Sequence, residues 1–275
     1  MTEDLLLRIA SALERLAPAV PTQPDLASRP AYVWNGRIAQ PVAAFSPARY
    51  TLLTGIDEQK GRLLENTRRH AAGLPAHDVL LWGSRGTGKS ASVGAVVGAL
   101  QGEGADIALM QCTADHLESL PELFALLRGV ARPFILFIDD LGFDEGSSWS
   151  DARVLRSLLD GGASARPANV RLYVTSNRRH ILPRHLSEQD DPINKRDVVD
   201  DKMALADRFG LSLGFHVMDQ DTYLAIVEGY ARHFGLPFDG AAAVQWATQR
   251  GSRSGRVAWQ YVTELAGREG KRLVE

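Results

Sequence analysis

Short continuous apolar runs alternate with longer segments of helical periodicity from about residue 46 onward. The runs predict five strands, at 79–82, 106–112, 134–139, 170–175 and 211–217. Because the runs are continuous rather than alternating, both faces of the sheet should be covered by helices. Helices are predicted between the strands, at about 55–72, from 89, at about 115–130 and near 151–160. The pattern predicts an α/β fold, a three-layer core around a parallel sheet that binds its ligand at the carboxyl ends of the strands.

The pattern changes to helical periodicity throughout from residue 219 to residue 275. Asp219, Asp239 and Ser254 each precede such a segment, and aspartate and serine are favoured helix N-caps. They predict helices that end near residues 234, 250 and 267. We therefore expect an α/β domain over 46–218, followed by a small helical domain over 219–275.

Residues 1–45 lack this rhythm. Leu6, Ile9, Leu13 and Leu16 share one face of a predicted amphipathic helix. Four prolines then predict an extended tether over 18–31. The helix needs a surface that buries its apolar face. That surface is either the chain's own core or a neighbouring subunit or client.

Composition and charge restrict the class of protein. Hydrophobic residues make up 45% and charged residues 23% of the 275 residues, so a substantial core can form. The net charge of −2 does not favour a nucleic-acid or membrane partner, although a local basic patch is compatible with it. Cys112 is the single cysteine, which excludes an internal disulfide, and its apolar surroundings predict a buried strand residue. No run approaches the roughly 20 apolar residues of a membrane span, and no targeting segment begins the sequence, so we expect a soluble, cytoplasmic protein.

A phosphate-binding motif lies directly after the first of these strands. It reads Gly83-Ser84-Arg85-Gly86-Thr87-Gly88-Lys89-Ser90, and a predicted helix follows from Ala91. The motif works between a strand and a helix, because backbone N–H groups and the helix N-terminus then converge on an anion. Lys89 is expected to reach the β- and γ-phosphates, and the Ser90 hydroxyl to ligate Mg²⁺. The sequence therefore predicts binding of a nucleoside triphosphate with Mg²⁺.

Two carboxylates end the apolar strand over 134–139. In phosphate-loop enzymes this position supplies one acid to the Mg²⁺ site and a second that orients or deprotonates water. Asp139 fits the metal role and Asp140 the water role. Asp144 and Glu145 follow a few residues later, so the choice between Asp140 and Glu145 for the water stays open.

Three further polar residues are candidates for catalysis. Asn177 ends the strand over 170–175, where its amide could hold the attacking water or touch the γ-phosphate. Arg208 precedes the last core strand, and Arg256 begins the last helix. Arginine suits both positions, because it can clamp a transferring phosphoryl group.

In this order, the motifs resemble those of the AAA+ ATPases over roughly residues 46–270. Leu53-Thr54-Gly55-Ile56-Asp57, the Asp139–Asp140 pair, Asp207-Arg208-Phe209-Gly210 and Arg253-Ser254-Gly255-Arg256 are similar to a bacterial group of ATP-binding AAA+ proteins with a domain-of-unknown-function label. The resemblance implies that ATP is the nucleotide and that the chain assembles with copies of itself. One departure is that the commoner Asp-Glu pair of these proteins is Asp139–Asp140 here, as in relatives that are helicase loaders and replication initiators.

The resemblance also implies roles for individual residues. Asn177 takes the sensor-1 place and Arg256 the sensor-2 place, while Arg208 is the finger supplied to a neighbouring subunit. Ile56 and Asp57 fall where such proteins contact the adenine side. Aspartate is one methylene shorter than the glutamate of the commoner Asp-Glu pair. This difference implies either slow turnover at Asp140 or use of Glu145 in its place.

The leading hypothesis is an AAA+ ATPase that hydrolyses ATP between subunits to remodel or move an unidentified client. A DNA-associated loader or transposition-type ATPase is the alternative that the aspartate pair and a basic cluster suggest, the cluster being Arg178, Arg179, His180, Arg184 and His185. A low-turnover switch or scaffold is a third. The charged segment over 187–202 is either a solvated loop or a partner-facing insertion.

Overall fold

A seven-stranded sheet forms the centre of the molecule, which we describe from a computed structural model. The description covers residues 4–6, 8–9, 23–141, 155–159, 166–177 and 207–273. The strands are β1 (Ala31–Trp34), β2 (Ala39–Pro41), β3 (Val79–Gly83), β4 (Ala108–Cys112), β5 (Phe134–Ile138), β6 (Val170–Ser176) and β7 (Leu211–Phe215).

The strand order is β2-β1-β4-β5-β6-β3-β7, and every pairing except β1–β2 is parallel. The phosphate-loop strand β3 thus lies between β6 and β7. The carboxyl ends of the parallel strands share one edge of the sheet, which we call the catalytic edge. The predicted α/β fold with a parallel sheet is confirmed for β3 to β7, and the structure adds the antiparallel pair β1–β2.

Helices cover both faces of this sheet. α1 (Asp57–Ala71) and α2 (Lys89–Gly102) pack on one face through side chains such as Leu63, Val96 and Leu100. α3 (Leu120–Arg128) and the helical residues 155–159 pack on the other, through Phe124 and Leu155 among others. All five residues of the central strand β5 are buried. This explains why the strands read as continuous apolar runs, and it gives the three layers that the sequence predicts.

One predicted helix is divided in the structure. Residues 114–119 form a 3₁₀ turn, and α3 begins only at Leu120. Pro121 stands in the first turn of α3, where its missing N–H is not needed and its fixed φ suits a helix start. The local chemistry of this proline therefore sets the boundary that the periodicity alone did not show.

The N-terminal segment contains two strands that the sequence analysis did not predict. β1 pairs with β4 and β2 folds back on β1, so residues 31–41 extend the core sheet by a hairpin. Tyr32 is fully buried, and the Trp34 indole N–H donates to the Ser119 hydroxyl at 2.8 Å. An interpretation of residues up to 45 as helix and extended segment alone therefore omits a structural part of the sheet.

Arg132 fixes the chain just before this hairpin. Its guanidinium lies 2.7 Å from the carboxylate of Asp106 and is buried. It also donates hydrogen bonds to the carbonyl oxygens of Leu26, Ala27 and Arg29. The ion pair and these hydrogen bonds compensate part of the cost of burying its charge. Arg132 therefore ties the N-terminal segment to the core.

Three helices follow β7, namely α4 (Gln220–Phe234), α5 (Gly240–Gln249) and α6 (Gly255–Arg268). The three predicted N-caps are confirmed. Asp219 accepts from the Thr222 N–H at 2.8 Å, Asp239 from two N–H groups of α5, and Ser254 from the Val257 N–H at 3.2 Å. The helices enclose a core of their own, which includes Tyr223, Val227 and Val262. We call residues 219–273 the lid.

None of the helices in the described part of the chain is long and apolar enough to cross a bilayer. Within the described part of the N-terminus, residues 4–6 and 8–9 are helical. Leu5, Leu6 and Ile9 are exposed there.

Candidate active site

The loop from Gly83 to Ser90 joins β3 to α2, as the motif requires. Gly83, Gly86 and Gly88 all have positive φ values, of 134°, 74° and 98°. A Cβ atom on Gly83 would lie 1.9 Å from the carbonyl oxygen of Phe215, because the Ser84 N–H bonds to that oxygen. Only glycine permits this approach of two backbones. The loop is therefore shaped against the end of β7.

Lys89 lies at the centre of the loop with 4% of its surface exposed. Its ammonium donates to the carbonyl oxygens of Gly83 at 2.9 Å and Ser84 at 2.8 Å, and to Asn177 Oδ1 at 3.0 Å. Burial lowers the pKa of Lys89; the charges of Asp139 and Asp140 oppose this effect. All three donors of the ammonium are thus engaged at the point where the motif places a phosphate.

Asp139 follows β5 at the catalytic edge and lies beside Ser90. The Ser90 hydroxyl donates to Asp139 Oδ1 at 2.6 Å. The Thr175 hydroxyl donates to the same oxygen at 2.6 Å. A hydroxyl and a carboxylate side by side offer the oxygen ligands that Mg²⁺ prefers. The residues predicted to hold the metal therefore fit it.

Asp140 and Asn177 are neighbours across the ends of β5 and β6. The Asn177 amide nitrogen donates to Asp140 Oδ1, and the opposite side of the same amide accepts from Lys89. Asp140 is the single non-glycine residue with positive φ in the described part of the chain, at 53°. Strained backbone of this kind persists where neighbouring contacts hold it. The structure thus joins Asp140, Asn177 and Lys89 in one hydrogen-bonded chain.

The lid contacts the phosphate loop directly. The Gly255 N–H, at the N-terminus of α6, donates to the carbonyl oxygen of Gly86 at 2.9 Å. Arg256 follows and lines the same cavity as the loop. The N-termini of α2 and α6 both face this cavity, and each adds partial positive charge. Together with the side chains of Arg85, Lys89 and Arg256, they place positive charge around a cavity that the carboxylates of Asp139 and Asp140 also line.

The cavity between loop and lid has a volume of about 690 Å³. This is within the usual range for small-molecule and cofactor sites. Most of the residues predicted for the site line it, namely Arg85, Gly86, Gly88, Lys89, Ser90, Ala91, Asp139, Asp140, Asn177 and Arg256. Ser84 and Thr87 line a neighbouring cavity of about 550 Å³. The Thr87 hydroxyl donates to the Ser84 carbonyl at 2.8 Å and so braces the loop.

Five cavity residues were not predicted as site residues, and Gly255, described above, is one of them. Ala48 and Leu53 come from the segment before α1, and Tyr230 and Trp259 from α4 and α6 of the lid. The two rings meet edge to face, with centroids 5.1 Å apart. Ile56, predicted to contact the adenine side of the nucleotide, is buried, and its Cδ1 would lie 3.1 Å from a Cβ atom on Gly88 of the loop. Tyrosine and tryptophan on the apolar face of a helix usually pack in the core. The sequence therefore carried no signal that Tyr230 and Trp259 line a cavity.

Arg208 lies at the far end of the sheet from the cavity. It precedes β7, whose first residue Leu211 pairs with Val79 at the amino end of β3. The phosphate loop begins at the opposite end, where Gly83 pairs with Phe215. Four residues of strand separate the two ends by roughly 13 Å. The parallel register therefore places Arg208 beyond the edge of the sheet opposite the catalytic edge.

Several candidates lie outside the described residues. These are Asp144 and Glu145, the basic cluster over 178–185 and the charged segment over 187–202.

A family model for proteins of unknown function, DUF815, matches residues 27–269. The chain belongs to this family. The match begins before the β1–β2 hairpin, so it includes the hairpin, the α/β core and most of the lid of this DUF815 protein. No curated protein matches the sequence.

Two solved structures are similar in fold to this DUF815 protein. The RuvB Holliday junction branch migration motor of Thermotoga maritima aligns with a TM-score of 0.51 and 16% identity, over 82% of this chain and 68% of RuvB. The ORC1 protein of Aeropyrum pernix, solved in complex with DNA, aligns with a TM-score of 0.53 and 16% identity, over 83% of this chain and 66% of ORC1. The DUF815 chain therefore has the AAA+ fold, as the sequence motifs indicate.

Proposed function

We propose that this DUF815 protein binds ATP with Mg²⁺ and hydrolyses it between subunits of a homo-oligomer, to remodel or move a client. The observation that carries the proposal is the convergence of Lys89, Ser90, Asp139 and Arg256 on one cavity. A buried cation, a hydroxyl–carboxylate pair and two helix N-termini are the groups that a triphosphate and its metal require.

Binding should begin at Lys89. Its ammonium already donates to three acceptors, two of them loop carbonyls, so phosphate oxygens can replace those acceptors without leaving a donor unpaired. The loop N–H groups and Arg85 add further positive potential. Bound Mg²⁺ would neutralise charge on the phosphates, and Ser90 and Asp139 are placed to hold it.

Hydrolysis requires a residue that orients water. Asp140 lies at the cavity wall and is fixed by the Asn177 amide, so we assign it this role. Asn177 contacts both Asp140 and Lys89, which supports a role for its amide in holding the attacking water or contacting the γ-phosphate. Arg256 enters from the lid, so that closure of the lid adds a positive charge to the reacting group.

The position of Arg208 supports an intersubunit site. It lies beyond the edge of the sheet away from the phosphate loop, so it is out of reach of the ATP of its own subunit. A second copy could present it to that ATP. An arginine finger supplied in trans contributes about 10³–10⁵ in rate in other phosphate-loop enzymes.

A complementation experiment tests this arrangement. Arg208→Ala should bind ATP like the parent chain but lose hydrolysis, and Lys89→Ala should lose binding. Mixing the two variants should restore activity, because the first supplies an intact pocket and the second an intact arginine. Arg232→Ala, which removes an exposed arginine paired with Glu228, serves as the control. Full hydrolysis by Arg208→Ala alone, at a rate independent of protein concentration, would refute the oligomer model.

The client is testable with a trapped state. Asp140→Asn should bind ATP and turn it over too slowly to release its assembly. A client specific to that state should be retained by Asp140→Asn and lost with Lys89→Ala.

A second candidate is an ATPase that acts on nucleic acid. Arg85, Arg250, Arg253 and Arg256 lie around the loop–lid junction, and none forms an ion pair with a carboxylate within the described residues. Arg250 stacks on the Trp246 ring at 3.9 Å, which holds its guanidinium in place. Serine and glutamine side chains line the same grooves. Arginine with such neutral donors is the usual set for phosphate backbones.

Anisotropy of labelled DNA over a series of salt concentrations tests this candidate. Binding should weaken steeply with salt, and the double variant Arg250→Gln, Arg253→Gln should reduce both affinity and the salt slope. These two arginines do not line the 690 Å³ cavity, so ATP binding should be retained. Absence of DNA binding at low salt would remove the candidate.

A further inference from the structure

Thr175 makes contacts that no part of the ATPase motif accounts for. It lies on β6, two residues before Asn177, and is 1% exposed. Its hydroxyl donates to Asp139 Oδ1 at 2.6 Å and accepts from the Asp140 N–H at 2.7 Å. Its carbonyl oxygen accepts from the Leu141 N–H at 2.9 Å. One residue thus holds three consecutive positions after β5.

Two hydroxyls donate to Asp139, and the hydroxyl of Thr175 is the one that has no second role at the metal. Asp139 Oδ1 accepts from Ser90 as well as from Thr175, each at 2.6 Å. Ser90 is exposed at the cavity and has a second role as metal ligand in the proposed function. The Thr175 hydroxyl is closed inside the sheet, and its one proton is already given to Asp139. The orientation of the carboxylate therefore depends on Thr175.

The contact with Asp140 concerns backbone conformation. Asp140 adopts φ 53°, a region that costs a non-glycine residue free energy. The hydrogen bond from its N–H to the Thr175 hydroxyl, together with the next one from Leu141, compensates part of that cost. This conformation directs the Asp140 carboxylate to Asn177.

We propose that Thr175 is a positioning residue that sets the metal affinity of Asp139 and the conformation of Asp140 through one buried hydroxyl. The proposal rests on the proposed function for the metal. Partners that orient a metal ligand typically change metal affinity by about 10- to 100-fold when they are removed. The part that concerns the turn over 139–141 stands on the protein alone.

The first experiment measures how the binding of a fluorescent ATP analogue depends on Mg²⁺ concentration. Thr175→Val keeps the shape of the side chain and removes the hydroxyl, so the Mg²⁺ concentration for half-maximal effect should rise about 10- to 100-fold. Binding of the analogue in EDTA should not change. Thr175→Ser, which keeps the hydroxyl, should stay near the parent protein.

The same strand offers a matched control. Ser176 is also 1% exposed, but its hydroxyl has no hydrogen-bond partner within the described residues. Ser176→Ala removes a buried hydroxyl at the neighbouring position and should leave the Mg²⁺ dependence unchanged. An unchanged Mg²⁺ dependence in Thr175→Val, or equal damage in Thr175→Ser and Ser176→Ala, would overturn the metal part of the proposal.

The second experiment needs no nucleotide. Hydrogen exchange of the Asp140 amide in the ligand-free protein should accelerate at least about 10-fold in Thr175→Val and remain slow in Thr175→Ser and Ser176→Ala. Where the valine variant does not fold, Thr175→Ala removes the same hydroxyl. Unchanged protection in the hydroxyl-free variant would overturn the proposal. Failure of the parent chain to bind ATP would instead refute the proposed function. The hydrogen exchange of the Asp140 amide would still test whether Thr175 holds the backbone of Asp140.

Discussion

The backbone N–H of Gly255 donates to the carbonyl oxygen of Gly86 at 2.9 Å, so the last lid helix is bonded to the phosphate loop itself. The Cα of Gly86 also faces the lid closely. A Cβ atom on Gly86 would lie 3.0 Å from both Cβ and Oγ of Ser254, the N-cap of that helix. Any shift of the loop on phosphate binding is therefore transmitted to the start of α6, and to Arg256 one residue later.

We predict that Gly86→Ala separates the loop from the lid. The new methyl group must displace Ser254, and the residue must keep φ 74°, which costs an alanine about 1–2 kcal/mol. That cost lowers the stability of the fold. Displacement of Ser254 also moves the start of α6, and Arg256 with it, away from the loop, and we expect this to lower ATP affinity by about 10-fold, which is about 1.4 kcal/mol. Isothermal titration with ATP measures it.

Gly104→Ala is the matched control for this prediction. Gly104 has φ 91°, but its Cβ would meet no atom within 4 Å, and it lies beyond the far end of α2. Both variants should lower the melting temperature, whereas ATP affinity should fall only in Gly86→Ala. Equal ATP affinities in the two variants would show that the contact between Gly86 and the lid does not contribute to ATP binding.

We predict that Trp259 and Tyr230 bind the base of the nucleotide. They form the aromatic part of a cavity whose other side is the phosphate loop, and stacking of a base on an aromatic ring is worth about 1–3 kcal/mol. Trp259→Ala should therefore weaken ATP binding by about 5- to 150-fold, with less effect on inorganic triphosphate, which has no base. Competition binding with both ligands measures the difference.

The lid provides a control tryptophan. Trp246 meets Tyr261 edge to face with centroids 5.8 Å apart, in a geometry like that of Trp259 and Tyr230, but lines a different cavity. Trp246→Ala should destabilise the lid to a similar degree and leave the preference for ATP over triphosphate unchanged. If both variants lose ATP affinity equally, the loss comes from lid stability.

The phosphate-loop machinery could be predicted from sequence because its parts obey local rules. Glycine spacing between a strand and a helix defines the loop, and Asp219, Asp239 and Ser254 cap helices by contacts within three residues. The polar residues after strands could be expected to meet because parallel strands end at one edge. For these residues, their place directly after a strand or before a helix was sufficient to predict where they meet.

The remaining features depend on contacts between distant segments. The β1–β2 hairpin lies near prolines, and an extended strand and an extended tether give the same local pattern. The segment becomes a strand because β1 pairs with β4, about 75 residues later, and because Arg132 donates a hydrogen bond to the carbonyl oxygen of Arg29 just before it. Trp259 and Tyr230 become cavity walls only through the packing of α6 on α4. Thr175 looks like any β-branched strand residue until its register against Asp139 is known.

We predict that Asp140, rather than Glu145, is required for hydrolysis. The Asn177 amide fixes the Asp140 carboxylate at the cavity wall, next to the chain of contacts that leads to Lys89. Asp140→Asn should retain ATP binding and lower the single-turnover hydrolysis rate by about 10²-fold or more, as expected for loss of a general base. Glu145→Gln should keep most of the rate. The reverse result would transfer the role to Glu145.

We predict that His70 makes the protein less stable at acid pH. His70 is buried on α1, with Nε2 3.1 Å from the carbonyl oxygen of Phe134. Burial lowers the pKa of His70 from 6.5 to about 4, and the positive charge of Arg171 adds to this effect. The unfolded chain therefore binds a proton at a higher pH than the folded protein does. The stability that comes from neutral His70 is fully present above pH 6.5 and is lost as the pH falls toward 4.

Urea unfolding at pH 7.5 and pH 5 measures this loss. Each pKa unit corresponds to about 1.4 kcal/mol, so His70 should account for roughly 2 kcal/mol of the stability lost by pH 5. His70→Gln removes the titrating group and keeps a donor for Phe134, so its loss between the two pH values should be smaller by about that amount. His233→Gln, at an exposed position of the lid, should leave the pH dependence as it is in the parent protein. A parent protein and a His70→Gln variant with parallel pH profiles would show that His70 is not the group responsible.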